Sequence, residues 1–205
     1  MLMSCDRRAR RRNLECDSMR IENAFLIHGA NGTPDENWMP WIKANLERNG
    51  VVVHTPQFSH AQRQTLKTWL SEFEEYKESL NSNSIIIGHS IGCAFILRVL
   101  ERIDVKVKAV FLVAPFTRPL NIPHYDELNK TFLEKEFDWD KIRRNCDEFF
   151  VYGSDNDPYV KMSQESFVAE KTEGIFKVIP HAGHINEAAG YKEFRELYED
   201  IKILY

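Results

Sequence analysis

The chain has 205 residues, of which 43% are apolar and 28% charged, with a formal net charge of -4. These values fit one soluble globular domain with a sizeable core, and they give no support to a general nucleic-acid role. No apolar run approaches the roughly 20 residues needed to span a bilayer.

The text opens on MLMSCDRRARRRNLECDS, residues 1–18, which carries five arginines and almost nothing to pack. It lacks the apolar stretch of a secretory signal. The expectation is a basic, disordered tail, or upstream sequence ahead of Met19, followed by a single domain over 19–205. Such a basic cluster is also the pattern of a nuclear address. Four cysteines, Cys5, Cys16, Cys93 and Cys146, form no C-x-x-C pair. Their spread suggests reduced thiols, hence a cytoplasmic protein, or a nuclear one if the arginines are an address.

From Ile21 onward, short apolar runs alternate with helical patterns. AFLIH (24–28) reads as the first strand, and the loop HGANG follows it. Trp38, Trp41, Ile42 and Leu46 make a helical stripe that stops at Asn49-Gly50. VVVHT (51–55) is a second strand. Leu66, Trp69, Leu70, Phe73 and Leu80 repeat at helical spacing. SIIIG (84–88) is a third strand, with a helix from Ile91 to about Leu100 behind it. VKAVFLV (107–113), EFFVYG (148–153) and IFKVI (175–179) are the remaining strands. Tyr191, Phe194, Leu197, Tyr198 and Ile201 form a last helical stripe. The strands are continuously apolar rather than alternating, as parallel strands covered on both faces are. The expected fold is therefore α/β: a doubly wound, mostly parallel six-stranded sheet. Residues 115–138 read as a loop, too short for a large cap.

Chemistry concentrates at IIIGHSIG, where Gly88, Ser90 and Gly92 spell Gly-x-Ser-x-Gly between a buried strand and an apolar helix. That context is the one a nucleophile elbow requires. A sharp strand-to-helix turn holds the serine strained, and the glycines leave room for it. The Ile91 amide, at a helix start, is placed to receive an oxyanion. A serine needs a base, and the base needs an orienting acid. In this fold class they follow in the order acid, then histidine. After the fifth strand come Asp155 and Asp157, and after the sixth come His181 and His184. Asp157 is preferred because it heads DPYV, and His184 because it follows Gly183 in a loop leading to the last helix. The second oxyanion donor is assigned to the Ala30 amide, with Asn31 as second choice. His28 reads as a strand-end structural residue. His89 reads as a pocket-wall or loop-bonding residue, directed away from the serine. Phe116, Leu120, Ile122 and Tyr125, in PFTRPLNIPHYDEL, are candidate pocket walls, as is Asn31.

The chain resembles the α/β-hydrolases, and among them the small, capless retinoblastoma-binding protein 9 (YdeN-type) serine hydrolases. The resemblance rests on IIIGHSIG, WDKIRRNCDEFFVYGSDNDPYV, HAGHIN and the HGANG loop, and it covers roughly residues 21–205. It implies an esterase-like activity on a small acyl substrate and the same triad, Ser90, Asp157 and His184. The Arg-rich tail lies outside the pattern. No Leu-x-Cys-x-Glu docking motif is present, since LECDS at 14–18 ends in Ser18. The family name therefore carries no binding function over to this chain.

The function expected is hydrolysis of small carboxylic esters, or thioesters and unhindered amides, through an acyl-enzyme on Ser90. No metal or organic cofactor is required, and the cysteines and histidines show no zinc spacing. The expected partner is a small acyl substrate, with neither nucleic acid nor membrane engaged by the domain. The alternatives are a hydrolase-fold binding protein, and a serine aminopeptidase or acyltransferase on the same triad.

Overall fold

A computed structural model describes residues 20–205. The expectations for the basic segment 1–18 lie outside the described residues. Six strands form one sheet: β1 (Asn23–Ile27), β2 (Val52–His54), β3 (Ser84–His89), β4 (Val107–Val113), β5 (Cys146–Ser154) and β6 (Ile175–Ile179). Their spatial order is β2-β1-β3-β4-β5-β6. All five neighbouring pairs are parallel. The chain leaves β1 in one direction to place β2, then returns across β1 to place β3. That reversal opens a crevice at the carboxyl ends of β1 and β3, where ligands bind in open α/β sheets.

Successive side chains of a strand point to opposite faces, and here both faces are packed. Phe25, Ile27, Ile86, Val110, Leu112 and Val151 face one core. Ala24, Leu26, Ile85, Ile87, Phe111 and Tyr152 face the other. The second core is closed by α1 (Met39–Arg48) and by the last helix, α7 (Arg195–Lys202). The first is closed by α2 (Leu66–Phe73), α3 (Ile91–Leu100), α4 (Pro123–Leu133), α5 (Trp139–Arg144) and α6 (Met162–Thr172). Burial on both sides is why β3 reads as an unbroken apolar run. The stripe expected to run from Leu66 to Leu80 is helical only to Phe73. It tightens into a 3₁₀ turn over Glu74–Ser79.

The segment 115–138 is a correction to the expected loop, because residues 123–133 form α4. Pro123 supplies the first-turn position that proline favours. The helix is fastened along its length. Asp126 Oδ1 accepts from the Leu120 amide at 2.6 Å, and Thr131 Oγ1 accepts from the Leu66 amide at 2.9 Å. Arg98, buried on α3, donates to the Phe132 and Glu136 carbonyls at 3.0 and 3.1 Å and to the Glu101 carboxylate. The guanidinium also lies 3.6 Å from the Phe137 ring centroid. A short helix, rather than a free loop, therefore roofs the crevice.

The elbow depends on how closely α3 approaches β1. A Cβ added to Gly92 would lie 2.6 Å from the His28 carbonyl oxygen and 2.7 Å from that of Ile27. Both are backbone atoms of the strand end and its loop, so neither can swing aside. Gly92→Ala is expected to destabilise the protein by roughly 1–3 kcal/mol through overpacking. Urea unfolding of the two proteins measures it, and unchanged stability would mean that α3 can shift outward without cost.

Candidate active site

Ser90 follows β3 directly and adopts φ 56°, ψ -125°, a left-handed conformation that a non-glycine residue holds only when its surroundings impose it. Two backbone bonds do so. The Ser90 amide donates to the Val113 carbonyl at 2.9 Å, and the Ser90 carbonyl accepts from the Cys93 amide at 3.0 Å. The turn directs the serine into a cavity of about 220 Å³ whose walls include Gly29, Ala30, His89, Ser90 and His184. Cys93 packs beneath the turn, its thiol donating to the Val113 carbonyl. Burial pushes that thiol well above its ordinary pKa, so it stays protonated.

The loops after β5 and β6 are laced together residue by residue. Ser154 Oγ accepts from the Ala182 amide at 3.1 Å, Asp155 Oδ1 from the His181 amide at 2.7 Å, and Asn156 Oδ1 from the Gly183 amide at 2.7 Å. The fourth residue, Asp157, reaches the fourth partner: its Oδ2 accepts from His184 Nδ1 at 2.7 Å. Asp157 Oδ1 accepts from the amides of Tyr159 and Val160 at 2.8 and 3.0 Å. The Asp157 carboxylate is fully covered, while the His181 side chain is 85% exposed. Asp155 thus fastens a loop, and Asp157 holds an imidazole. With Nδ1–H donating to Asp157, His184 Nε2 is left as an acceptor. Among the described residues no hydrogen bond joins Ser90 Oγ to the His184 ring, although both line the same cavity.

Aromatic rings enclose the imidazole. Tyr159 presents an edge to it at 5.1 Å, and Tyr125 packs edge-on against Tyr159 at 5.5 Å. On the other side lies His89, at 4.8 Å. His89 Nε2–H donates to the His184 carbonyl at 2.9 Å. Burial, and then the neighbouring His184, push the His89 pKa down to about 3, so it is neutral at physiological pH. His28 is also committed. Its Nδ1–H donates to the Gly29 carbonyl at 2.8 Å, and its Nε2 accepts from the Phe58 amide at 3.0 Å. Burial lowers its pKa too.

Several residues expected at the pocket wall stand elsewhere. Asn31 is exposed and does not line the cavity. Its amide donates to Gln64 Oε1 at 3.0 Å, so that amide is occupied, and its Oδ1 accepts from the Ala61 amide. Phe116 is buried in the core. Ile122 precedes α4 and packs on that core. Leu120, Tyr125, His89 and Ala30 do line the cavity. Tyr159, Asn129, Thr33, Glu36, Asn37 and Asn186 line it as well, and were not expected. Tyr159 carried a signal, since it lies in DPYV two residues from the acid. The others become visible only once the loops are folded.

The described residues include no helix long and apolar enough to cross a membrane. A family model described as serine hydrolase matches residues 24–202. The YdeN protein of Bacillus subtilis (strain 168) is 27% identical over 180 residues, covering 87% of this chain and 93% of YdeN. Serine hydrolase RBBP9 of Rattus norvegicus is 25% identical over 185 residues, covering 87% and 93%. The crystal structure of the B. subtilis ydeN gene product superposes with a TM-score of 0.84 at 25% identity, over 89% of this chain and 98% of that one. The structure of Est1E from Butyrivibrio proteoclasticus with ferulic acid bound has a TM-score of 0.63 at 15% identity, over 90% and 91%.

One further buried carboxyl stands beside the acid. Glu165, on α6, is fully buried. It lies so close to β5 that a Cβ on Gly153 would sit 2.1 Å from its Oε2. Neither oxygen has a hydrogen-bond partner of good geometry. Burial first, and Asp157 second, push its pKa up to about 8, while the Ser154 amide opposes the rise. Between the ordinary value of 4.5 and about 8, the folded protein holds a proton that the unfolded chain has released. Stability should therefore fall relative to Glu165→Gln as pH rises through that window, and level off above it. Thermal melts of both proteins from pH 4 to 9 check this, and parallel curves would refute it.

Proposed function

Because the chain belongs to the serine hydrolase family, we propose that it cleaves small carboxylic esters through an acyl-enzyme on Ser90. The observation that carries this reading is the covered Asp157 carboxylate joined at 2.7 Å to His184, which lines the same cavity as a serine held in a strained turn. His184 Nε2 takes the Ser90 proton as Oγ attacks the carbonyl carbon. Asp157 keeps Nδ1–H pointed away and offsets the charge that develops on the ring. The Ile91 amide at the start of α3 and the Ala30 amide after β1 receive the oxyanion. The alcohol leaves with the proton from His184, and water attacks the acyl-enzyme through the same base. Besides substrate and water, these steps use only three side chains and two backbone amides of the chain.

The cavity of about 220 Å³ lies below the ~300–1,000 Å³ of sites for drug-sized ligands. Roofed by α4 rather than by a large cap, it suits a short acyl group. Hydrolysis of p-nitrophenyl esters should peak at roughly two to four acyl carbons. A preference for chains beyond ten carbons would replace this reading with a lipase-like groove. A fluorophosphonate probe should label the wild type and not Ser90→Ala, and labelling that survives at another serine would overturn the nucleophile.

The aspartates divide by role. Asp157→Asn retains Oδ1 for the Tyr159 and Val160 amides but turns an NH₂ toward His184, which favours the wrong tautomer. Turnover should fall at least ~10²-fold with little change in melting temperature. Asp155→Asn should spare most turnover and shift the melt modestly. The reverse pattern would move the acid two residues back.

A further inference from the structure

Asn129, on α4, is 2% exposed and lines the catalytic cavity. The direction of its amide is set by a chain of bonds that starts at the backbone. The Asn31 N–H can only donate, so the Gln64 atom 3.0 Å away is the carbonyl oxygen Oε1. Gln64, itself 2% exposed, then directs Nε2 the other way, to Asn129 Oδ1 at 2.9 Å. Asn129 Oδ1 is thereby consumed, and Nδ2 points away from Gln64. Among the described residues Nδ2 has no protein acceptor. It is not one of the sealed, unpartnered polar atoms either, which belong to Gln164, Glu165 and Tyr205. The space left to it is the cavity.

A buried N–H that faces an apolar group loses its water and gains nothing. A site built to donate a hydrogen bond therefore rejects the isostere that lacks the acceptor. Glu36 on the same wall disfavours an anionic acceptor. We propose that Asn129 is a specificity-determining residue that donates Nδ2–H to a neutral oxygen of the substrate, a ketone or amide carbonyl separate from the scissile ester. This rests on the hydrolase reading above and names a feature of its substrate.

The experiment compares isosteric ester pairs by titrating the released acid. The acyl pair is methyl 3-oxobutanoate against methyl 3-methylbutanoate. The alcohol pair is 2-oxopropyl butanoate against 2-methylpropyl butanoate. The kcat/KM ratio within a pair should fall about tenfold, on the scale of one hydrogen bond, in two variants. Asn129→Asp keeps the acceptor for Gln64 and removes the donor. Gln64→Glu offers a second acceptor, so Asn129 turns its nitrogen inward and its oxygen to the cavity. Because each ratio is read within one protein, a general loss of activity cancels. The pair that responds locates the acceptor on the acyl or the alcohol side, and flat ratios for both pairs in both variants overturn the proposal.

A second measurement needs no turnover. In ¹⁵N-labelled Ser90→Ala protein, the Asn129 side-chain amide resonances should move on titration with the oxo esters and stay with their methyl isosteres. Selective movement without hydrolysis by the wild type would sink the esterase reading and leave Asn129 standing. Hydrolysis with flat ratios and no selective movement would sink Asn129 alone.

Discussion

The close approach of α3 to β1 is the contact on which the site depends. With no side chain at Gly92, the start of the helix rests on the Ile27 and His28 carbonyls. Ser90, two residues earlier, is thereby brought against the loop that leaves β1. Gly29 shows the same tightness, since a Cβ there would be 3.3 Å from Ser90 Cβ. The parallel order β2-β1-β3 makes this approach possible, because it sets the ends of β1 and β3 side by side at the switch point. The loop after β1 and the residue that precedes α3 then line one small cavity, where the proposed function places the oxyanion.

The remaining parts of the site are held by polar ties between loops, each of which also settles a local backbone problem. His181, Gly183 and Ile185 all have positive φ, so the loop after β6 would be costly if free. The side chains of Ser154, Asp155 and Asn156 each take an amide from it, and the Trp38 indole donates to the Ile185 carbonyl at 2.9 Å. Asn37, itself at positive φ, accepts from the Glu187 amide at 2.8 Å. His184 is thus tied to the loop after β5 and to the segment after β1. The cavity gathers its walls from five separate stretches of chain.

The inner strands were legible because burial on both faces leaves an unmistakable run of apolar residues, as in SIIIG, whereas the edge strands β2 and β6, though apolar in sequence, leave Val52, Ile175 and Val178 exposed. The Gly-x-Ser-x-Gly turn was legible because each of its glycines has a steric cause. The helix over 123–133 was not read, although Pro123 and the apolar Tyr125, Leu128, Phe132 and Leu133 stand at helical spacing. Its inner face carries Asn129 where an apolar residue completes the usual stripe, and the polar residue hid the pattern. Asn31 was misplaced for the opposite reason. Its neighbours suggested a pocket loop, but its amide is taken by Gln64, a residue 33 positions away. Glu165 gave no sign at all, because a glutamate on a short surface helix is ordinarily solvated. Only the packing of α6 against Gly153 turns it inward.

Three histidines line the cavity, and hydrogen bonding separates them more firmly than sequence position does. His28 spends one nitrogen on the Gly29 carbonyl and the other on the Phe58 amide, so it has no lone pair to offer a substrate. His89 spends Nε2 on the His184 carbonyl, and burial holds it neutral far below physiological pH. Both act as struts, one between the β1 loop and the segment after β2, the other between the elbow and the loop after β6. Of the three, His184 alone has a carboxylate partner, and its Nε2 accepts no hydrogen bond from any described residue. The two neutral rings also shape the field around it. A protonated neighbour at 4.8 Å would oppose an imidazolium at His184, the species the proposed mechanism requires, whereas a neutral His89 does not. The burial that makes His89 useless as a base is therefore what leaves His184 free for the role of base in the proposed mechanism.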